Sequence, residues 1–308
     1  MYQNRTAFAL VATVLSAGVF IQVQSAAQQT VIDRRGETIV LEPYAPNIIR
    51  VTLSLQSEPA KASPGYGIVA SPAATGWKQS QAERSDVYAS DRIVVAVDRP
   101  QSSGRPRVQT QIDIGKYFNG STPGAHITFS TPDGQTLLEM KGWSQAVPNQ
   151  KEGTAFLERD RRQSDPAFYS VGATFASPDD EHYYGLGQNQ EGFLDHRGHA
   201  VRCWNDYLAT AAPSFCVPFM VTNKGYGLLW DNPSRTTIEP GFNEETRWRS
   251  EVGERVSFFV IAGKTADEIY SGYRLLTGAA PMLPKAAYGY IQCKQRYASQ
   301  EELLAVAK

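Results

Sequence analysis

The chain has 308 residues, of which 42% are apolar and 20% charged, with a formal net charge of -1. That length allows one large domain or two ordinary ones, and the near-neutral balance argues against nucleic acid or an anionic membrane as partner, since both favour a basic face. Three cysteines, Cys203, Cys216 and Cys293, are too few for a disulfide framework, and the four histidines are not joined by Cys or carboxylate at metal-ligand spacing.

At the amino end, Arg5 precedes a charge-free, largely apolar run from Ala7 to Val23 that leads into Ser25-Ala26-Ala27. A positive end, an apolar middle and small residues in that order predict a secretory signal peptide over 1–27 and an exported protein, periplasmic or extracellular, with no membrane partner after cleavage. The alternative is a single membrane anchor, for which the run is shorter than the ~20 residues that span a bilayer.

From about Thr30 to Val260, short alternating apolar runs are separated by turn residues, the pattern of an antiparallel β-sandwich. Alternation is clear around Ile39–Leu41, Ile48–Leu55 and in "RIVVAVDRP". "HITFSTPDGQTLLEM" predicts a hairpin turning at Asp133-Gly134, "CVPFMVTNKGYGLLWDN" one around Asn223-Lys224-Gly225, and "RVSFFVIAG" a buried strand. Residues 57–86, rich in Ser, Pro, Ala and Gln, read as a long loop. Cys203 and Cys216 flank one loop; pairing in an oxidising compartment and two buried thiols are both open. His196 and His199 read as ordinary loop residues.

After residue 264 the texture changes. Thr265 to Glu268 is a capping box, starting a helix with Ile269, Tyr273 and Leu276 on one face and Gly278 at its end. Pro281 and Pro284 form a stiff linker. A strand in "AAYGYIQC" and a second capping box, Ser299 to Glu302, followed by Leu303, Leu304 and Ala307, read as the first βα step of a parallel α/β architecture. The boundaries drawn are a signal peptide over 1–27, a sandwich over 28–280, and the beginning of an α/β barrel over 281–308, cut short.

The densest stretch runs from His182 to Tyr207. Tyr184-Gly185-Leu186-Gly187-Gln188 lacks the spacing of a phosphate-binding glycine loop. Trp, Asn, Asp and Tyr in one loop suit a sugar, whose ring face stacks on aromatics while its hydroxyls bond to amides and carboxylates, though such residues also simply close loops.

Four segments, "YYGLGQNQEGFLDHRG", "VRCWNDY", "VPFMVTNKGYGLLWDNPS" and the stretch from Tyr273 to Lys308, together resemble glycoside hydrolase family 31, the α-glucosidase and α-xylosidase family. The resemblance implies a galactose mutarotase-like β-sandwich followed by a (β/α)8 barrel, no cofactor, and an oligosaccharide or α-glycoside as substrate. It implies retaining chemistry, with two Asp carboxyls roughly 5 Å apart on later barrel strands. Trp204-Asn205-Asp206 partly matches the family's Trp-x-Asp-x-x-Glu nucleophile motif, but Ala209 stands in place of the Glu and the match lies inside the sandwich. No catalytic residue is therefore assigned, and the 308 residues alone are expected to be inert.

Trp204 and Asp206 fall where the family has a sandwich loop that reaches the leaving-group sugar; Asp206 is either a substrate contact or a structural carboxylate. Gln295 occupies the aromatic position of the first barrel strand, while Tyr290 and Cys293 read as barrel core. The resemblance leaves open hydrolysis or transglucosylation, and glucoside or xyloside. Two other readings are a stand-alone carbohydrate-binding or structural sandwich, and a mutarotase-like enzyme needing a His/Glu pair. Glu181 and His182 do not make that pair, because neighbours on a strand point to opposite faces.

Overall fold

The computed structural model describes residues 29–34, 36–99, 125–146, 169–188, 192–204, 215–289, 291, 294 and 296–307. In chain order its elements are β1 (Thr30–Arg34), β2 (Glu37–Ala45), β3 (Ile48–Ser54), α1 (Ser57–Lys61), β4 (Lys78–Gln81), β5 (Ser85–Ala89), β6 (Val94–Asp98), β7 (Ile127–Ser130), β8 (Thr136–Ala146), β9 (Tyr169–Ala176), β10 (Tyr183–Gly185), β11 (Val201–Cys203), β12 (Phe219–Thr222), β13 (Tyr226–Trp230), β14 (Thr236–Phe242), β15 (Glu245–Gly253), β16 (Val256–Ala262), α2 (Ala266–Thr277) and α3 (Gln300–Ala307). The strands form two antiparallel sheets, ordered β1-β2-β3-β16-β13-β12-β10 and β11-β14-β15-β9-β8-β7-β6-β5-β4. The expected antiparallel sandwich is present. Both predicted hairpins turn where expected, with Gly134 and Gly225 at positive φ.

Alternation explains the main core. Inward residues of both sheets, among them Trp143, Phe175, Trp230, Trp248 and Phe258, form one buried cluster. Trp230 stacks on Trp248 at 5.5 Å and donates its indole N–H to Ser250 Oγ at 2.8 Å, so its polar edge is satisfied inside the sandwich. β3 and β16 are buried along their whole length because the seven-stranded sheet is covered on its other face too. There Phe259 and Ile261 meet Ile269 and Leu276 of α2 in a second cluster. α2 comes close because Gly272 faces β16: a Cβ at that position would lie 2.5 Å from Ile261 Cγ2.

The cap of α2 forms as the sequence predicts, with Thr265 Oγ1 accepting from the Glu268 N–H at 3.2 Å. Glu268 reaches one residue further back than a capping box requires, taking the Lys264 N–H at 2.9 Å.

Two expectations need correction. Residues 57–86 are not one long loop: they hold α1, β4 and the start of β5, pinned to the sheet by Arg50 and Arg255, which donate to Ala62 O, Pro59 O and Ser63 O. Trp77 adds an anchor by stacking on Tyr88 and donating to Ala45 O. The strand expected in "AAYGYIQC" is absent over its first half, where Lys285–Tyr288 make a 3-10 turn. An extended segment needs a neighbouring strand to take its backbone hydrogen bonds, and this one adjoins neither sheet. The helix after it is present as α3, with the Glu302 N–H on Ser299 Oγ at 3.2 Å. Residues 1–27, Tyr290, Cys293 and Gln295 lie outside the described residues. No described helix is long and apolar enough to cross a membrane.

Candidate functional site

The loops between β10 and β12 gather most of the chemistry that the sequence singled out. β10 ends at Gly185, and it and the next two residues, Leu186 and Gly187, are all at positive φ. At Gly187 the backbone packs so tightly that a Cβ would lie 2.0 Å from Phe215 O. This close approach lets Gln188 exchange two backbone hydrogen bonds with Phe215, at 2.7 and 3.0 Å. One residue on, Cys216 is disulfide-bonded to Cys203, their Cα atoms 4.9 Å apart. Pairing, rather than two buried thiols, is thus the state of these cysteines.

Trp204 follows directly. It is 47% exposed, and the Arg235 guanidinium lies 5.1 Å from its ring centroid. Packed on one side by a cation and open elsewhere, the indole is held in place without being buried, which suits it to stack against a flat apolar surface. Asp206 lies outside the described residues, so Trp204 is the one predicted contact that can be placed. Nearby, Phe193 stacks on His199 with centroids 3.8 Å apart. His196 is not an ordinary loop residue: it is buried, with Nε2 3.2 Å from Gly185 O.

Beneath these loops is a buried polar cluster. Glu181 takes the Tyr226 hydroxyl on one carboxyl oxygen at 2.7 Å and the Tyr183 hydroxyl on the other at 2.8 Å. Arg197 braces the same turn by donating to Ser177 Oγ, Pro178 O and Glu181 O. His182 points the other way, to the surface, with Nδ1 2.6 Å from Asp195 Oδ2. The mutarotase-type pair is therefore not assembled from Glu181 and His182, and the reason is not strand alternation, since both residues precede β10. Asp195 Oδ1 also accepts the N–H groups of Tyr183 and Arg197, both at 3.0 Å. Burial acts to raise the Asp195 carboxyl, and these backbone donors with His182 outweigh it, holding the group below its ordinary value.

Glu181 behaves oppositely. Desolvation raises it, and the hydrogen bonds from Tyr226 and Tyr183 only partly offset that. The native state thus favours the neutral carboxyl. Its contribution to stability is fully present below the ordinary value of 4.5 and is lost as pH rises through the raised folded value. Between pH 4.5 and neutrality, the urea midpoint of the natural chain is expected to fall relative to Glu181→Gln, whose amide does not titrate. Parallel pH profiles for the two proteins would show that the carboxyl is not held neutral. The cluster leaves little trace in the sequence, since Glu181 precedes β10 and only Tyr183 lies on it. Tyr226, forty-five residues on, leaves none.

Among the described residues no group of three or more His, Cys, Asp or Glu side chains comes together to hold a metal. Two antiparallel sheets packed face to face around one shared core define the class, a β-sandwich. The family model for the "Glycosyl hydrolase 31 N-terminal galactose mutarotase-like domain" matches residues 38–239. The chain belongs to that family.

An alpha-xylosidase of Saccharolobus solfataricus is 40% identical over 144 residues, which are 46% of this chain and 20% of the relative. An uncharacterized family 31 glucosidase, ORF2 of Pseudescherichia vulneris, is 31% identical over 193 residues, 59% of this chain and 35% of that protein. The solved GH31 alpha-xylosidase from a soil metagenome, complexed with xylose, superposes with a TM-score of 0.67 at 26% identity, over 91% of this chain and 38% of that one. The chain thus spans about a fifth to a third of the length of these two relatives.

Proposed function

We propose that the chain is the amino-terminal part of an exported, retaining, exo-acting α-glycoside hydrolase of the α-xylosidase or α-glucosidase type. The observation that carries this is the family match over 38–239 together with 40% identity to an alpha-xylosidase. Residues 1–27 act as the export signal, 28–280 as the sandwich, and 281–308 as the first unit of a catalytic barrel whose later strands supply the two reacting carboxyls. Apolar side chains between residues 282 and 306 support this division: Met282, Tyr288, Ile291, Leu303 and Leu304 are all exposed, as the inner contacts of a larger unit are when it is absent.

In that enzyme the loop with Trp204 and Asp206 reaches the leaving-group sugar and Gln295 lines the sugar pocket. The test is an assay of the complete enzyme on nitrophenyl α-xyloside and α-glucoside. Turnover of the xyloside is expected, with Trp204→Ala raising KM more than it lowers kcat. Turnover of an α-galactoside and neither of these overturns the reading.

A further inference from the structure

The register of the nine-stranded sheet sets three side chains in a row behind the candidate site. Cys203 pairs with Thr236, and Thr236 with Ser250. One step further along these antiparallel strands, Trp204 meets Arg235 and Arg235 meets Glu251, whose backbone N–H donates to Arg235 O at 2.9 Å. Indole, guanidinium and carboxylate therefore follow one another across the ends of β11 and β14 and onto β15. The Arg235 side chain is only 28% exposed, and its Nε is buried without a hydrogen bond. The ion pair with Glu251 is long, at 3.4 Å, and Glu251 is half exposed, so the carboxylate does little to fix the guanidinium. What the cation faces on its other side is the indole, 5.1 Å away and within reach of a cation–π contact.

A cation on one face of an indole changes the other. The ring attracts cations through the negative potential over its faces. Arg235 already uses that potential, and its own charge repels a second cation approaching from the open side. An uncharged ring, which binds by apolar contact and dispersion, meets no such penalty. The free face is thus a platform for neutral units and a poor one for ammonium groups.

We propose that Arg235 is a positioning and specificity-determining residue for Trp204: it fixes the indole and, as a cation on one face, selects uncharged sugar or aglycone units over cationic ones on the other. Arg235 acts through the ring and does not itself touch the ligand. The inference rests on the reading of Trp204 as a contact of the leaving group.

Fluorescence quenching of the 308-residue chain tests the assignment. Trp143, Trp230 and Trp248 are buried and Trp77 packs against the core, so Trp204 dominates the accessible emission. Quenching constants are measured at equal ionic strength with acrylamide, which is neutral, and caesium, a cation. In Arg235→Gln the caesium-to-acrylamide ratio is expected to rise about twofold to fivefold, the range of an exposed cation–π contact. Arg235→Lys, which keeps the charge, is expected to keep the natural ratio. In the complete enzyme, Arg235→Gln should narrow the preference for 4-nitrophenyl over 4-trimethylammoniophenyl α-xyloside by a similar factor, through KM with kcat nearly unchanged. An unchanged quenching ratio in Arg235→Gln overturns the proposal. So does a rise of equal size in Arg235→Lys, which would mean that the indole has lost packing and not a charge. Failure of the complete enzyme to turn over either xyloside would count against the hydrolase reading alone, since the quenching ratio needs no turnover.

Discussion

Arg50→Met is expected to destabilise the sandwich by about 3–5 kcal/mol, and the loss should shrink when Glu42→Gln and Asp231→Asn are added. Arg50 is 1% exposed on the outer face of the seven-stranded sheet. It pairs with Glu42 at 3.0 Å and Asp231 at 3.4 Å, and donates to Ser257 Oγ and Ala62 O, both at 3.0 Å. Its position follows from register: Glu42, Arg50 and Phe259 are direct cross-strand partners on β2, β3 and β16, and the guanidinium carbon lies 6.0 Å from the Phe259 ring centroid.

Removing the cation leaves two buried carboxylates without the guanidinium that pairs them both, and that dominates over the loss of the pair itself. The amide replacements remove those charges at nearly constant volume. Met retains most of the aliphatic stem that packs on Phe259. Urea unfolding of the single and triple variants decides it: a single variant within 1 kcal/mol of the natural chain, on the scale that surface substitutions show, would mean that the carboxylates are not buried as described. The same substitution should free the 57–70 segment, because Asp231, which Arg50 holds, also accepts the Gly65 N–H at 2.9 Å. Protease nicking within 57–70 is the local readout.

This network marks where the sequence was readable and where it was not. Period-two alternation and Asp-Gly or Lys-Gly turns identify strands whatever they pack against, so the sandwich and its hairpins follow from residues such as Ile39–Leu41 and Gly134. The 57–86 segment has no such pattern. What orders it is Arg50, Arg255 and Trp77, which contact residues up to about two hundred positions away and have no local signature. "AAYGYIQC" fails in the opposite direction: strand propensity is present, but propensity forms no strand without a partner. At the candidate site, Trp204 was legible as an exposed loop aromatic. The Arg235 that fixes it, thirty-one residues later, was not. Cys203 and Cys216 could be seen to flank a loop, but whether they pair depends on how two sheet edges approach, which the spacing of 13 residues leaves open.

That staple supports the second large effect. Reduction of the chain, or Cys203→Ser with Cys216→Ser, is expected to cost about 3 kcal/mol, the loop-closure value for a ring of this size. The placement of the bond matters more than the total. Cys203 ends β11, the outer strand of one sheet, and Cys216 follows the Phe215 bridge that extends β10, the outer strand of the other. The bond therefore ties the two sheets together at their open edge, where β11 and β10 are only three residues long.

Loss of the bond should be felt there first. Amide exchange at Gln188 and Val201–Cys203 is expected to accelerate on reduction, while Phe258, in the middle of the seven-stranded sheet, exchanges as before. Trp204 adjoins the bond, so its contact with Arg235 should loosen as well, seen as a red shift of its emission. In the proposed enzyme this links redox state to the placement of Trp204 and Asp206: KM for the xyloside should rise on reduction with little change in kcat. Equal exchange rates at Gln188 with and without reductant would show that the edges hold together through backbone bonds alone, leaving the disulfide no part in positioning the loop.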